Sequence, residues 1–294
     1  MAELDAAALP RPSLEGQVVL VTGGSLGIGR ACAAEALDAG ARVMIAARGE
    51  SALAEAAAAL GAGREARVGA AVADVAEPAA VDALVASVVE RFGRLDGLVH
   101  AAAVPGPIGP ATEVDPAEWL EAVRIDLFGS FLVARAAARA MRRTGGGRIV
   151  LFSGGGATFP LENYTAYGCA KAAVVRLAET LAAELAPHGI AVNSLAPGFV
   201  ATRIHDATLA AGARAGENLR RVREELASGG VPAALGAQAA VFLLSDAAEG
   251  ITGKLVAAPW DAWWAWPERL AELSGSELFT LRRIVPRDRG QDWQ

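Results

Sequence analysis

The stretch TGGSLGIG occupies residues 22–29, between the aliphatic run Val18–Val21 and an alanine-rich segment. A glycine-rich turn that joins a buried strand to a helix is typical of sites for the pyrophosphate of a dinucleotide. Gly23 permits the sharp turn, Gly27 lets the backbone approach the phosphates, and Gly29 lets the helix pack closely on the strand. Free N–H groups at the helix N-terminus then face the phosphates. The turn therefore predicts a nucleotide cofactor.

The composition limits the kind of protein that this chain can be. Its 294 residues are 53% hydrophobic, enough for one large core, and carry a formal net charge of −6. Without a Lys/Arg cluster, we expect no nucleic-acid partner. Neither Cys32 nor Cys169 has a His at ligand spacing, so we expect no metal site and no disulfide framework. No signal peptide or long uncharged apolar run is present, and we expect a cytoplasmic protein without membrane contact.

Short β-branched runs alternate with helical patterns along most of the chain. We predict strands at 18–21, 42–46, 66–72, 97–101, 148–152, 190–195 and 254–257. We predict helices at 27–39, 51–60, 77–91, 116–143, 165–187 and 236–245. Apolar strands that alternate with helices form parallel sheets covered on both faces. The sequence therefore predicts an α/β fold, a Rossmann-like doubly wound parallel sheet with ligands at the carboxyl ends of the strands.

No linker divides the body, so we expect a single domain with additions at both ends. Residues 1–13 are predicted to be a flexible N-terminal arm, 14–258 the Rossmann-fold domain, and 259–294 a C-terminal extension. Residues 203–230 are polar, rich in Arg and Ala, and lack a strand pattern. We expect these residues to form a mobile helical segment that covers the site.

The end of the second predicted strand bears on the choice between NAD and NADP. Sites that prefer NAD commonly place a carboxylate there to bind the ribose 2′-hydroxyl. Here Ala47 holds that position and Arg48 follows, and a guanidinium suits a 2′-phosphate. We expect NADP(H) to be preferred, with NAD(H) possible; a solvated surface arginine is the alternative. Asp74 and Val75 follow the third strand and are candidates to bracket the adenine, although Asp74 is equally suited to capping a turn.

Tyr167 and Lys171 lie one helical turn apart and share a helix face. An isolated tyrosine has a pKa of about 10 and is a poor base at neutral pH. A neighbouring ammonium and an oxidised nicotinamide both favour the phenolate, so we expect Lys171 to lower the pKa of Tyr167. The pair would then exchange a proton with an alcohol or carbonyl oxygen. Taken alone, it also fits an ordinary amphipathic helix.

Together these features resemble the short-chain dehydrogenase/reductase family. The matching motifs are the turn at 22–29, Asp74-Val75, Tyr167-x3-Lys171 and Pro197-Gly198-x3-Thr202, and the resemblance runs from about residue 14 to 258. It implies hydride transfer between C4 of a nicotinamide and a small-molecule secondary alcohol or ketone, in a homodimer or homotetramer. It implies that Tyr167 is the acid/base and that Lys171 binds the nicotinamide ribose and tunes Tyr167.

The resemblance also implies a set of cofactor-binding residues. Pro197, Gly198 and Thr202 would line the nicotinamide carboxamide. Tyr167 and Lys171 would contact the cofactor as well. The remaining candidates are Gly23, Ser25, Leu26, Gly27, Ile28, Gly29, Arg48, Asp74, Val75, Ala101 and Ala102.

Two departures from the family pattern concern residues around the cofactor and the proton-transfer pair. The usual Asn-Asn-Ala-Gly after the fourth strand reads HAAA at 100–103, and we expect His100 to be a structural replacement. The helix position that usually holds an active-site Asn is Asp126. Its carboxylate is able to accept hydrogen bonds and to pair with Lys171, and it changes the charge near the pair.

The third departure concerns the serine that usually lies thirteen residues before the tyrosine. Gly154 holds that position, and Ser153 is one residue earlier, where an extended strand points its side chain to the opposite face. A bulge in the glycine run 154–156 would restore Ser153 to the site or bring in Thr158. The catalytic candidates are therefore Tyr167, Lys171, Ser153 and Asp126, in an atypical active site.

Three functions are compatible with these residues. The leading one is an NAD(P)-dependent oxidoreductase acting on a secondary alcohol or its ketone. The second is a redox-neutral epimerase or dehydratase that uses the nicotinamide transiently on a sugar-like substrate. The third is a non-catalytic protein that binds the cofactor, although the retention of both Tyr167 and Lys171 weighs against it.

The C-terminal extension has an unusual composition. Residues 260–266 read WDAWWAW and contain four of the six tryptophans of the chain, and a helix is predicted at 268–273. Dense tryptophans rarely face water in a monomer. We expect the extension to pack across a subunit boundary near a neighbour's cleft. Its arginines would reach acidic groups on the surface or an anionic substrate; they are Arg282, Arg283, Arg287 and Arg289. The alternative is that it caps the core of its own chain.

Overall fold

Seven parallel strands form one sheet in the computed structural model, which describes residues 9–292. The strands are β1 (Val18–Thr22), β2 (Arg42–Ala47), β3 (Val68–Val72), β4 (Gly97–His100), β5 (Gly147–Phe152), β6 (Ile190–Ala196) and β7 (Leu255–Ala257). Their order is β3-β2-β1-β4-β5-β6-β7, with every neighbouring pair parallel. The order reverses between β1 and β4, and ligands of open α/β sheets bind at such a point.

Helices cover both faces of the sheet. They are α1 (Gly27–Asp38), α2 (Glu50–Gly61), α3 (Pro78–Phe92), α4 (Pro116–Val123), α5 (Gly129–Met141), α6 (Thr165–Leu185), α7 (Asp206–Ala211), α8 (Glu217–Ser228), α9 (Ala233–Leu244) and α10 (Leu270–Leu273). Side chains of β1 alternate between the two cores: Val19 and Val21 pack with α1 and α9, whereas Val18 and Leu20 pack with α3, α5 and α6. This alternation in a fully apolar strand confirms the predicted doubly wound sheet.

Two predicted elements differ from the structure in ways that have a local cause. The strand predicted at 66–72 begins only at Val68, because Glu65–Arg67 form a 3₁₀ turn. The helix predicted at 116–143 is interrupted by a π-helical turn, Arg124–Phe128, between α4 and α5. Such a turn holds an extra residue and is frequent at functional sites, and this one carries Asp126.

Two segments that the sequence predicts to be mobile, the N-terminal arm and residues 203–230, contact the main domain. Residues 1–8 of the predicted N-terminal arm lie outside the described residues, and Leu9 is buried in the core cluster that includes residues of α1. The flexibility of the arm stays a prediction. Residues 203–230 contain α7 and α8 and no strand, as predicted. Their mobility remains a prediction; the Tyr164 hydroxyl donates to Thr208 Oγ1 at 2.8 Å and ties α7 to the loop before α6.

Among the described residues, no single helix is both long and apolar enough to span a membrane. Only α8 and α9 taken together, across a bend of 91°, reach that length and composition.

The C-terminal extension folds back on its own chain. Trp263 is fully buried and packs on Phe242 of α9, with ring centroids 5.1 Å apart, and Trp266 is 4% exposed. Further along, the Phe279 carbonyl accepts from the backbone N–H of Leu255 on the edge strand β7 at 2.7 Å. The expected placement across a subunit boundary is therefore wrong for Trp263 and Trp266, because both side chains are buried in the core that α1 and α9 form in the same chain. The predicted helix at 268–273 begins only with α10, after a 3₁₀ segment that contains Pro267.

Candidate active site

The glycine turn after β1 is packed so tightly that Gly23 and Gly29 leave no room for a side chain. A Cβ atom at Gly29 would lie 2.3 Å from the carbonyl oxygen of Gly23, and one at Gly23 would lie 2.7 Å from the backbone nitrogen of Ala102. Gly23 and Gly27 also have positive φ angles, of 69° and 52°. The backbone of Gly29 thus packs against that of Gly23, and Gly23 packs against Ala102 in the loop after β4. The N-terminus of α1 lies at the end of this turn.

A cleft of about 1300 Å³ lies at the carboxyl ends of the strands. It exceeds the roughly 300–1,000 Å³ that is usual for one small ligand, and so has room for a dinucleotide and a substrate. The predicted site residues that line it are Gly23, Ser25, Leu26, Gly27, Ile28, Gly29, Arg48, Val75, Ala101, Ala102, Ser153, Tyr167, Lys171, Pro197, Gly198 and Thr202.

The glycine cradle fits a bound nicotinamide dinucleotide. A Cβ at Gly27 would lie 3.0 Å from Cγ2 of Thr202, so the turn and the segment after β6 close around the same space. Backbone N–H groups of the turn and of the first turn of α1 are the donors that a pyrophosphate needs. The glycines of the turn therefore leave its backbone N–H groups open to a phosphate.

Asp74 and Arg48 differ in their relation to the cleft. Asp74 is not among the lining residues, and its carboxylate accepts from the backbone N–H of Ala76 at 2.9 Å. This hydrogen bond is the turn cap that we gave as the alternative for Asp74. Its contact with adenine stays a prediction. Arg48 lines the cleft, is exposed, and forms no ion pair within the described part of the chain. Its guanidinium is available to a ligand.

Tyr167 and Lys171 face the base of the cleft from the first two turns of α6. Lys171 Nζ lies 5.5 Å from the centroid of the Tyr167 ring and donates to the carbonyl oxygen of Phe152 at 3.2 Å. It also lies 3.8 Å from Oδ2 of Asp126, and both charged side chains are buried. The predicted pairing of Asp126 with Lys171 is therefore present in the structure.

Asp126 acts from behind the cleft and does not line it. Its Oδ1 accepts from the backbone N–H of Val104 at 2.8 Å, which fixes the loop after β4. Burial raises the pKa of the carboxyl, against the opposing effects of the Lys171 charge and the Val104 hydrogen bond. Asp126 thus contacts Lys171 and the loop after β4, and it does not face the cleft.

The pKa of Tyr167 is raised, contrary to the expectation from its spacing to Lys171. Burial of the phenol is the larger cause, and the carboxylate of Asp126 is the second. Both disfavour a second negative charge at this place. The protonated phenol is therefore the stable form, and donation of its proton requires a nearby positive charge to offset the phenolate.

Gly154, and not Ser153, is the residue beside the Tyr167 hydroxyl. A Cβ atom at Gly154 would lie 2.5 Å from that hydroxyl oxygen. Ser153 is buried, and its Oγ donates to the backbone carbonyl of Lys171 at 3.4 Å. Thr158 is exposed and lines the cleft. Neither hydroxyl forms a hydrogen bond with Tyr167 among the described residues.

His100 is held inside the sheet. Its Nδ1 lies 2.8 Å from Oγ1 of Thr22, its partner across β1 and β4. Burial, with a smaller contribution from the Lys171 charge, lowers the pKa of His100 to about 3. The ring is neutral at physiological pH and joins two strands, in keeping with a structural role.

The sequence interpretation missed two of the aromatic side chains that line the cleft, Phe199 and Trp260. Phe159, Val222 and Leu226 also line it, and they lie in the segments 155–164 and 203–230 that we expect to shape the pocket. Phe199 and Trp260 come three residues after β6 and β7, and residues that follow parallel strands meet at one edge of the sheet. Their place just after a parallel strand is therefore the sequence signal by which Phe199 and Trp260 are identifiable as cleft residues. No such signal exists for the α8 side chains that line the cleft, because their position depends on how residues 203–230 fold.

Comparison with known proteins gives concordant matches. The model of the family described as short chain dehydrogenase matches residues 17–212. D-threitol dehydrogenase of Mycolicibacterium smegmatis is 38% identical over 247 residues, which cover 82% of this chain and 90% of that protein. The structure of levodione reductase is similar with a TM-score of 0.76 and 32% identity, covering 83% of this chain and 96% of that one. The structure of a variant of actinorhodin polyketide ketoreductase with NADPH is similar with a TM-score of 0.75 and 31% identity. The match covers 85% of this chain and 97% of that one.

Asp126→Asn is expected to lower the pKa of Tyr167, because it removes a buried negative charge that opposes the phenolate. The chain has only two tyrosines, so a Tyr164→Phe background leaves Tyr167 as the single phenol. Its ionisation is followed by ultraviolet difference absorbance during an alkaline titration, with and without Asp126→Asn. An unchanged or higher midpoint in the Asn variant would contradict the electrostatic role of Asp126.

Proposed function

The chain belongs to the short-chain dehydrogenase family, and we propose that Tyr167 is the acid/base of its reaction. The protein is an NAD(P)-dependent oxidoreductase that transfers hydride between a nicotinamide and a secondary alcohol or ketone. The observation that supports our proposal is the position of Tyr167 and Lys171 at the base of the cleft that the glycine turn opens.

A bound nicotinamide supplies the hydride donor or acceptor at its C4. In reduction, the Tyr167 hydroxyl gives its proton to the carbonyl oxygen as the carbonyl carbon gains the hydride; oxidation reverses both transfers. The Lys171 ammonium, 5.5 Å from the ring centroid, offsets the negative charge left on the phenolate. Asp126 and the Phe152 carbonyl hold that ammonium in place.

We propose that this active site works without a serine hydroxyl beside the tyrosine. The position adjacent to the Tyr167 hydroxyl is Gly154, and the hydroxyl of Ser153 is engaged with a backbone carbonyl. Tyr167 would then be the principal side-chain donor to the substrate oxygen. Ser153 would support α6 and contribute less to the chemistry.

Tyr167→Phe is expected to lower kcat by about 100-fold or more, the usual scale for loss of a general acid, while cofactor affinity changes little. Ser153→Ala is expected to lose less than about tenfold, since only a long hydrogen bond to backbone is removed. Rates are followed by nicotinamide absorbance and affinities by calorimetry. A loss in Ser153→Ala as deep as that in Tyr167→Phe would show that the serine reaches the substrate.

We also propose that NADP(H) is preferred over NAD(H). Arg48 is an exposed cleft residue without an ion-pair partner in the described chain, and Ala47 stands where a carboxylate would favour NAD. A guanidinium forms charge-assisted hydrogen bonds with a phosphate. The 2′-phosphate of NADP(H) supplies that partner, whereas NAD(H) does not.

Arg48→Ala is expected to weaken NADPH binding by roughly 10-fold or more, the scale of a lost charged hydrogen bond, and to leave NADH within about twofold. Arg139→Ala, an exposed arginine of α5 outside the cleft, is the matched control. Calorimetric titration of each variant with both cofactors provides the comparison. Equal losses for the two cofactors would exclude recognition of the 2′-phosphate by Arg48.

We further propose a homo-oligomer formed through the helical face of α4 and α5. Leu120, Phe128 and Phe131 are 63%, 41% and 39% exposed, and the two Phe rings stack at 6.4 Å. Exposed apolar clusters of this kind mark contact sites. Members of this family generally act as oligomers on small molecules. The face consisting of Leu120, Phe128 and Phe131 is a better candidate than the extension, whose buried tryptophans contact their own chain.

Leu120→Glu is expected to reduce the mass measured by light scattering, since it places a charge in the proposed contact. Leu278→Glu, which changes a 52%-exposed residue of the extension, should leave the mass unchanged. A wild-type monomer, or dissociation only in the Leu278 variant, would contradict the proposed contact.

A further inference from the structure

Trp260 differs from the other described tryptophans of the extension. Its side chain is 61% exposed and lines the cleft, whereas Trp263 and Trp266 are buried in the core. Trp264 is half-buried, packs edge-on against Trp263 and does not line the cleft. A large indole left open to solvent at the mouth of a ligand cleft is typical of a binding contact.

The turn that carries Trp260 is held firmly. The backbone N–H of Trp260 donates to the carbonyl of Ala257 at 3.0 Å, and the carboxylate of Asp261 accepts from the N–H of Ala257 at 2.7 Å. Trp263 anchors the turn from below, because its Nε1 donates to the carbonyl of Ala258 at 3.2 Å and its ring is fully buried. The exposed ring is therefore presented on a fixed backbone, which limits the entropy lost on binding.

The same turn packs against the segment that is proposed to line the nicotinamide. A Cβ atom at Gly198 would lie 2.6 Å from Cγ of Pro259, the residue before Trp260. Pro197 and Gly198 line the cleft together with Trp260. Trp260 therefore lines the cleft beside the segment that is proposed to contact the nicotinamide.

A second exposed aromatic side chain lines the same cleft. Phe159, in the loop between β5 and α6, is 46% exposed and precedes Tyr167 by eight residues. The cleft-lining side chains of α8 include Val222 and Leu226, which are also apolar. These surfaces offer aromatic stacking and apolar contact beside a proton-transfer residue.

We propose that Trp260 and Phe159 bind the apolar ring of a cyclic ketone or alcohol, with Trp260 determining the preference for ring-bearing over small acyclic substrates. This inference rests on the proposed function of the cleft. It assigns the first turn of the C-terminal extension to the substrate pocket. A small ketone would reach Tyr167 without filling the space between the reacting atoms and these aromatic side chains.

The test uses the full chain with NADPH and two ketones, the bicyclic 2-tetralone and the small acyclic 2-butanone. Trp260→Ala is expected to raise the KM for 2-tetralone about tenfold, with kcat within about twofold and the KM for 2-butanone unchanged. Trp260→Phe should restore most of the affinity for 2-tetralone. Trp264→Ala, the matched control from the same extension, should leave both KM values unchanged.

Calorimetric titration with 2-tetralone separates this inference from the proposed function. Binding that weakens in Trp260→Ala supports the inference, even if no ketone is reduced and the proposed function fails. Absence of 2-tetralone binding overturns the inference, including when 2-butanone is reduced and the proposed function stands. An equal change for both ketones, or an equal effect of Trp260→Ala and Trp264→Ala, also overturns it.

Discussion

The close approach of backbone to backbone in the glycine turn is the constraint on which the site depends. The carbonyl of Gly23 lies where a side chain at residue 29 would begin, 2.3 Å from the Cβ position. This contact brings the first turn of α1 against the turn that follows β1. The turn then meets Ala102 after β4 and Thr202 after β6, so three strand ends surround one cleft. Any Cβ at Gly23 or Gly29 would force backbone apart at the phosphate end.

A buried charged pair sets the chemistry at the other end of the cleft. Removing Lys171 and Asp126 from water is costly, and their separation of 3.8 Å together with hydrogen bonds to Phe152 and Val104 offsets part of that cost. The pair links the loop after β4 to α6, and therefore links cofactor-side backbone to the proton-transfer residue. Its negative member also raises the pKa of Tyr167, which keeps the phenol protonated and makes loss of that proton harder.

Much of the fold was predictable because its signals are local. Fully apolar strands such as Val18–Val21 specify a sheet covered on both faces, and the turn at 22–29 specifies where it binds a ligand. The π-helical turn at Asp126 was not predictable, since helical periodicity does not show a single extra residue. The raised pKa of Tyr167 depends on burial and on a carboxylate from another element. The Trp-rich composition of the extension predicts that these side chains are buried. It does not show whether the same chain or another subunit buries them, and for this reason the predicted subunit contact is wrong for Trp263 and Trp266.

The most direct measurement follows NADPH absorbance and product together in one sample of the full chain with a cyclic ketone. Hydride transfer with Tyr167 as proton donor predicts one NADPH oxidised for each alcohol formed. Tyr167→Phe should lower both signals in parallel, by about 100-fold or more. Product that appears without net oxidation of NADPH would contradict a net reduction and indicate redox-neutral chemistry. Product formation at an undiminished rate in Tyr167→Phe would contradict the role assigned to the phenol.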